Sequence, residues 1–417
     1  MDILRPIFER RVTTRTFVLR FGLVFAALQI VPLFASMLPI VGGWFAERWG
    51  DVDGWVVDTF GQQLLGTDAI VDPQTGSGDT AFAYVELLVF VVVALIAAAT
   101  WTLAARRLPV DRRLSNIARV GLRYALAITM LSYGLSKVFV TQFPGLQPFQ
   151  LYEPVGHMTP MCMLWTFMGA SAPYTIFGGA MECIGGALLL WPRTTTLGAV
   201  VLVPVLGNVV ALNFCYDVPV KLLSSELLIA TLVLLAPDAR RLVAAMLGRP
   251  TEASTPPPPI SRRRRIAIAV AKVLVVGWIG YAQISGQLDA RATSAESRSP
   301  LFGAWQVERF ERDGAELAPL ATASDRWRLL VIGDYAALLR TMDDADGYTA
   351  VERADNTRLE LGDAGAFDVT PLGPERLRLI GTSGGHRLVV EVHRTDDSRM
   401  ELLHRGFHWS QEAPHNY

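Results

Sequence analysis

The sequence has little charge, only three lysines and only three cysteines. Of its 417 residues 18% are charged, and the formal net charge is −1, whereas soluble proteins carry about 25% charged residues. A net charge near zero excludes the general basic surface that nucleic-acid binding requires. Cys162, Cys183 and Cys215 show no C-x-x-C spacing, which argues against a disulfide scaffold or a cysteine-ligated zinc site. We expect packed thiols, with a Cys162–Cys215 disulfide as the alternative.

Motifs of the common enzyme classes are also missing. The chain has no nucleotide-binding glycine loop, no H-E-x-x-H zinc motif, no C-x-x-C-H haem motif and no Ser-His-Asp order. Each of these patterns places reactive groups at a spacing that its chemistry needs. The sequence by itself therefore assigns no enzyme class.

Long apolar runs fill much of the chain between residues 16 and 284, and 51% of all residues are hydrophobic. A helix needs about 20 apolar residues to cross the roughly 30 Å hydrocarbon core of a bilayer. The residues around 161–169 are too few to cross and predict an interfacial or re-entrant helix, and residues 55–65 predict an amphipathic surface helix. The longer runs predict an α-helical polytopic membrane domain with seven spans, at residues 16–41, 81–101, 117–140, 173–191, 197–215, 221–236 and 266–284.

Arginine-rich segments lie on one side of these predicted spans. They are the N-terminal residues 1–15, the end of the second span and the Pro/Arg linker at residues 237–265. Because positively charged loops stay in the cytoplasm, we predict a multi-pass protein of the bacterial cytoplasmic membrane, with the N-terminus inside and the C-terminal domain outside. A cleaved signal peptide is the alternative for the first run, which is longer than the apolar region of such peptides.

The pattern changes after a linker at residues 285–300. Residues 301–417 predict a C-terminal antiparallel all-β barrel or sandwich, lipocalin- or calycin-like, with about eight to ten strands. Trp305 near the first strand and Arg405 near the last one are typical of the lipocalin Trp–Arg pair. His404 and His408 would share a strand face about 13 Å apart, too far to hold one metal ion. Short alternating runs separated by Asp-Gly and Gly-Asp turns include residues 327–331, 377–380, 387–392 and 400–404.

Charged and amide side chains occur inside or beside the apolar runs. A charge at the bilayer centre costs at least about 2.5–3.5 kcal/mol, so these groups need partners or a wet cavity. We predict one outward-facing polar site, with His157 in the loop above it. The alternative is that Lys137–Glu182, and Lys221 with Asp217 or Glu226, only join helices or reach towards the surface. By their position within the spans, the members of the site belong to the outer half of the bilayer: Glu86, Lys137, Glu182, Asn208, Asn213, Asp217, Lys221 and Glu226.

Glu182 and Lys137 are the candidate catalytic residues of this site, and its other members are candidate ligand-binding residues. Glu182 lies about 13 Å from the outer end of its span, too deep to reach water easily. Glycines at positions 178, 179, 185 and 186 flank it and permit close helix approach. Lys272 lies in the inner half of the seventh span, and we predict that it reaches towards the cytoplasmic surface.

Several motifs resemble the DoxX-like family of integral membrane proteins. They include Y-G-L-S-K-V, L-W-T-F-M-G-A-S-A-P-Y-T-I-F-G-G-A-M-E and N-F-C-Y-D-V-P-V-K-L, and the ending H-R-G-F-H-W-S-Q-E-A-P resembles the longer members with an outer β domain. The resemblance implies a four-helix core within residues 117–245. It also implies a link to quinone-dependent thiosulfate oxidation or to maturation of periplasmic redox enzymes. A more distant likeness to membrane carboxylases would make Lys137 a base.

Three functions are consistent with these observations. The first is a quinone-linked redox component in which Glu182 binds the quinone head group and relays a proton, beside a membrane redox partner. The second is a non-catalytic assembly or envelope-stress factor whose outer β domain holds an extracytoplasmic protein. The third is a transporter of a small molecule or lipid, which the lack of an inverted repeat disfavours.

Overall fold

The computed structural model describes residues 5–38, 40–66, 75–104, 112–251, 261–296, 298–398, 400–413 and 415. The chain forms two compact units. The helical unit comprises Met1–Val138 and Phe177–Ile284, and the sheet unit comprises Phe139–Ile176 and Ser285–Tyr417. Residues 139–176, which the sequence analysis placed within a membrane domain at residues 16–284, thus group with the C-terminal sheet.

All seven predicted spans are helical. Five helical segments in the described part of the chain are long and apolar enough to cross a membrane: Thr14–Ser36, Ala81–Ala104, Thr195–Cys215, Lys221–Met246 and Ile266–Thr293. The protein is therefore a multi-pass membrane protein. The helices are α1 (Arg5–Ser36), α2 (Gly42–Phe60), α3 (Ala81–Ala104), α4 (Arg112–Val138), α5 (Pro148–Tyr152), α6 (Pro160–Ala170), α7 (Ala172–Leu189), α8 (Thr195–Cys215), α9 (Lys221–Leu235), α10 (Ala239–Met246), α11 (Arg262–Glu296) and α12 (Glu401–His404).

Apolar side chains lie on all faces of the spanning helices. In α3, Val85 and Val89 are buried against the unit, whereas Leu88 and Ile96 point outwards. Such an arrangement is unfavourable in water but is expected where the solvent is lipid, because backbone groups are paired within the helix and apolar surface meets hydrocarbon. Val57 of α2 packs with Val85 and Val89, so residues 55–65 are helical as predicted, and α2 begins earlier and packs against α3.

The sheet unit contains ten antiparallel strands in a half-barrel. Their order is β5-β4-β3-β1-β10-β9-β8-β7-β6, with β2 paired to β1, so the first and last strands are neighbours at the centre of the sheet. The strands are β1 (Gly303–Arg312), β2 (Ala315–Glu316), β3 (Trp327–Ile332), β4 (Ala336–Thr341), β5 (Asp346–Ala350), β6 (Arg353–Ala354), β7 (Arg358–Leu361), β8 (Gly365–Gly373), β9 (Arg376–Ser383) and β10 (His386–Arg394).

The predicted strand at residues 400–404 was wrong, because these residues include the short helix α12. Both edges of β10 are already occupied, by β1 and by β9. The chain that leaves β10 therefore has no free strand edge beside it on which to add another strand. The strand face predicted for His404 and His408 does not exist.

The predicted Trp305–Arg405 pair was also wrong, since Arg394 takes the place of Arg405. The Arg394 guanidinium lies 4.6 Å from the centre of the Trp305 ring and donates hydrogen bonds to the carbonyl oxygens of Phe302 and Pro300. The Trp305 indole N–H donates to the carbonyl oxygen of Leu301 at 2.7 Å. These contacts hold the chain that enters β1 against the end of β10.

Arg394→Ala should destabilise the sheet unit by about 2 kcal/mol, because it removes a cation–π contact and charge-assisted hydrogen bonds. Arg405→Ala is the matched control. In the described part of the chain, Arg405 contacts Glu401 and Gln411 and does not contact Trp305. Hydrogen exchange of β1 and β10 in the full chain measures the effect. Equal exchange in the two variants would show that the Trp305 contact is not stabilising.

The segment between α4 and α7 covers one face of the sheet. Phe149 of α5 is buried in a cluster with Ala304, Leu329, Val331 and Leu338. The buried Gln147 side chain donates to Asp334 Oδ2 at 3.0 Å and accepts from the Asp334 backbone N–H at 3.1 Å. Apolar burial and paired amide hydrogen bonds together explain why this segment belongs to the sheet unit.

Candidate functional site

A buried ion pair joins α4 to α7 within the helical unit. Lys137 Nζ lies 2.9 Å from Glu182 Oε1 and 2.8 Å from Oε2. Only 12% of the Lys137 side chain and 5% of the Glu182 side chain are exposed, and the Lys137 ammonium also lies 5.8 Å from the centre of the Tyr133 ring. Both carboxylate oxygens are thus occupied by one cation, which is how a low-dielectric interior stabilises two charges.

Glycines bring these two helices into backbone contact. A methyl group added at Gly134 would lie 2.6 Å from the Cys183 sulfur, and one at Gly179 would lie 2.5 Å from the Gly134 carbonyl oxygen. Small residues at such a crossing let helices approach closely in a membrane. The one-turn spacing of Gly134 and Lys137 on α4, and of Gly179 and Glu182 on α7, then places the charged groups opposite each other.

A second polar cluster surrounds the start of α9. Asp79 accepts hydrogen bonds from the backbone N–H groups of Lys221 and Leu222, both at 2.9 Å, so its carboxylate caps the helix. Lys221 Nζ lies 2.8 Å from Asp217 and 3.6 Å from Asp79. Asn213 is buried and donates to the Val220 carbonyl oxygen. Sequence reasoning missed this role of Asp79, because the apolar run that follows Asp79 in the chain forms α3 and not α9.

The remaining predicted members of the polar site have other surroundings. Glu226 accepts a hydrogen bond from Gln29 at 3.4 Å, Glu86 is hydrogen-bonded to Asp53 of α2, and Asn208 is exposed. The predicted residues are therefore distributed over several pairs with different partners, rather than gathered around one opening.

A cavity of about 620 Å³ does occur in the helical unit, between α1, α4 and α11. Its walls are apolar, with polar groups from Tyr124, Lys272 and Gln283. None of the predicted site residues lines it. Lys272, for which we predicted only a surface-seeking role, donates a hydrogen bond to the Leu190 carbonyl oxygen and lies 4.5 Å from the centre of the Trp191 ring. Because the walls are apolar like the rest of the spanning helices, no sequence pattern marks the position of this cavity.

His157 lies in the sheet unit, 3.9 Å from Asp346. Asp346 pairs with Arg340 through two contacts of 2.6 and 2.8 Å, and this hydrogen-bonded pair raises the pKa of Arg340. Arg340 also donates to the Tyr152 carbonyl oxygen at 3.0 Å. The His157 side chain is 64% exposed, so it lies at the edge of this group and is solvated.

Cys162 lies near the same part of the sheet unit. Its sulfur is 3.6 Å from Glu153 Oε2. Burial, and then the neighbouring Glu153 carboxylate, raise the pKa of the Cys162 thiol. A raised pKa lowers the fraction of reactive thiolate. Cys162, Cys183 and Cys215 are all free, and Cys162 and Cys183 are partly buried. Cys215 is exposed, so the expectation of packed thiols was wrong for this residue.

One protein of Bacillus subtilis (strain 168) is similar to part of this chain. Over 130 residues, 36% of positions are identical to its "Uncharacterized protein YwoB". That match covers 31% of the present chain and 82% of the Bacillus protein. No family model matches the chain, and no solved structure matches it.

Proposed function

We propose that this chain, which belongs to the same family as YwoB of Bacillus subtilis, is a DoxX-like protein of the bacterial cytoplasmic membrane and a quinone-linked redox component. The observation that carries the proposal is the Lys137–Glu182 pair, buried between α4 and α7. An ion pair inside spanning helices is costly to keep and is typical of proton and ligand pathways in membrane proteins.

The packing of the sheet unit supports the proposed seven crossings. Because Phe139–Ile176 and Ser285–Tyr417 form one unit, they lie on the same side of the membrane, and the number of crossings between them is even. Among the helices between them, α8, α9 and α11 are long and apolar enough to cross. Helix α7, which carries Glu182, then supplies the fourth crossing. With α1, α3 and α4 this gives seven spans. If the arginine-rich segments lie in the cytoplasm, the sheet unit lies on the outer side of the membrane.

The proposed outer domain is lipocalin-like. Two features support this: β1 and β10 are neighbours at the centre of the half-barrel, and Arg394 lies over the Trp305 ring. An up-and-down sheet whose first and last strands pair is the arrangement that closes such barrels.

In the proposed redox role, a quinone head group binds beside the ion pair and accepts a hydrogen bond from Lys137. Reduction to the quinol adds two electrons and two protons. A membrane redox partner supplies both electrons. Lys137 and Glu182 would deliver one proton to a quinone carbonyl oxygen and would be reprotonated from water, which would also supply the second proton.

Quinone content of the purified protein tests this proposal. Lys137→Met/Glu182→Leu replaces the pair by apolar side chains of similar size, which preserves packing. We expect the wild type to retain quinone through purification. The double variant should retain about tenfold less quinone, because it lacks a charge-assisted hydrogen bond to the head group. Glu47→Gln is the control, because Glu47 lies at an exposed position of α2. Equal quinone in all three proteins, or none in the wild type, would contradict the proposal.

A second candidate function is partner binding by the sheet unit. Phe407 and Trp409 are 79% and 95% exposed, and their rings stack edge to face at 5.2 Å. Exposed aromatic pairs are typical of protein interfaces. Co-purification with full-length Phe407→Ser/Trp409→Ser tests this role, with Leu320→Ser as the control at another exposed position. A partner that is kept by the control and lost by the double variant would support an assembly function.

A further inference from the structure

The cavity between α1, α4 and α11 has the size and position of a lipid-chain site. Its volume of about 620 Å³ falls within the range of about 300–1,000 Å³ that is usual for ligand pockets. Ile128, Leu131 and Val276 contribute to its apolar wall. Among the residues of α11 from 266 to 293 whose burial the structure describes, none is buried, so this wall of the cavity adjoins the hydrocarbon of the bilayer.

One cation lines the cavity, and a second contacts a residue of its wall. Lys272 lines the cavity. The Arg123 guanidinium lies 4.9 Å from the centre of the Tyr124 ring, and Tyr124 also lines the cavity. Tyr124 therefore connects Arg123 of α4 to the cavity that Lys272 of α11 lines. Positive charges inside a membrane need an anion beside them.

Within the described residues, no carboxylate supplies that anion. Arg123 is only 8% exposed, and its Nε–H has no hydrogen-bond partner there. Lys272 contacts a carbonyl oxygen and the Trp191 ring, which are neutral. Asp238 of the same unit pairs with Arg119 and Arg241. A buried cation without a counter-ion is unfavourable.

We propose that this cavity binds an anionic phospholipid, with one acyl chain between α1, α4 and α11 and the phosphate on Arg123 and Lys272. Basic pockets between transmembrane helices recognise anionic lipid head groups in this way. The guanidinium offers several N–H donors to phosphate oxygens, and the ammonium adds a point charge. A neutral quinone would fill the apolar part but would leave both charges uncompensated. The inference is independent of the proposed redox role, whose residues do not line the cavity.

Native mass spectrometry of the full-length protein tests the inference. The protein is reconstituted in nanodiscs with equal amounts of phosphatidylglycerol and phosphatidylcholine, then released in the gas phase. We expect the wild type to keep one phosphatidylglycerol under conditions that remove phosphatidylcholine. Arg123→Gln and Lys272→Gln should each reduce this retention about tenfold, the effect of losing one charge-assisted hydrogen bond.

Two further variants separate the cavity from the general membrane surface. Arg193→Gln removes an exposed arginine that follows α7 and should leave lipid retention unchanged. Gly280→Leu fills the cavity from α11, where an added Cβ atom meets no atom within 4 Å, and should abolish retention while Arg123 and Lys272 remain. Unchanged thermal unfolding of Gly280→Leu confirms its fold.

The inference is overturned if the wild type holds both lipids equally, if Arg193→Gln acts like Arg123→Gln, or if Gly280→Leu keeps its phosphatidylglycerol. Recovery of a neutral quinone from this cavity would overturn it as well. If the quinone content depends on Lys137 and Glu182 but not on Arg123 and Lys272, this result supports the proposed redox function. It does not bear on the lipid site. The two proposals therefore fail separately.

Discussion

Glu182→Gln is expected to destabilise the helical unit by about 3–5 kcal/mol, because it leaves the Lys137 ammonium buried without its counter-ion. Lys137→Met should have a similar effect, because it leaves the Glu182 carboxylate buried without its counter-ion. Lys137→Met/Glu182→Leu should recover most of the loss, since two apolar side chains of similar volume replace the pair. The coupling free energy between positions 137 and 182, measured in this double-mutant cycle, is then large and stabilising.

Alkylation of Cys183 measures this destabilisation locally. The Cys183 sulfur packs against Gly134 where α4 and α7 touch, so it becomes reactive when the helices separate. In a Cys162→Ser/Cys215→Ser background, Cys183 is the remaining thiol. Glu182→Gln should raise its alkylation rate strongly, whereas Glu47→Gln, at an exposed position of α2, should not. Equal alkylation rates of Cys183 in Glu182→Gln and Glu47→Gln would show that the ion pair does not hold α4 and α7 together.

Phe149→Ala should destabilise the sheet unit by about 3–5 kcal/mol, the usual effect of removing a buried phenylalanine ring. Phe149 is 8% exposed and packs against Leu329, Val331 and Leu338. Its ring also meets Tyr335 edge to face at 5.7 Å. The loss leaves a cavity between α5 and the face of β3 and β4.

Hydrogen exchange of β3 and β4 in the full chain reports this change. The control is Val155→Ala, which lies in the same segment but is 66% exposed. We expect faster exchange in Phe149→Ala and unchanged exchange in Val155→Ala. If neither variant changes exchange, α5 rests on the sheet without stabilising it. A fragment that starts at residue 301 should show the same loss of protection as Phe149→Ala, because it lacks α5.

Local signals in the sequence predicted the helices well. An apolar run of about 20 residues leaves few alternatives to a spanning helix, and each of the seven runs is helical in the structure. The alternating pattern also predicted the strands that the structure shows as β3, β9 and β10. The ion pairs Lys137–Glu182 and Lys221–Asp217, which we considered as contacts between helices, are both present. The second of them is local, four residues apart.

Features that depend on distant partners were not predictable in the same way. Asp79 caps α9 from 142 residues away, and no periodic pattern links the two positions. Arg394 rather than Arg405 meets Trp305, because the strand register decides which arginine ends beside β1. The cavity arises from three helices that fail to fill a space, which is a property of packing and not of any one segment. The proposed catalytic and ligand roles of the polar residues remain predictions.

The covering of the sheet by α5 has a consequence for biosynthesis. Arg340 and the Tyr152 carbonyl oxygen that it contacts are 188 residues apart. At about 5–20 residues per second, the ribosome needs about 10 to 40 s to make the intervening chain. During that time the apolar face of α5 has emerged without the strands that bury it. Ribosome stalling or premature termination in this interval would leave Phe149 exposed, and such truncated chains should be preferred substrates of membrane quality-control proteases.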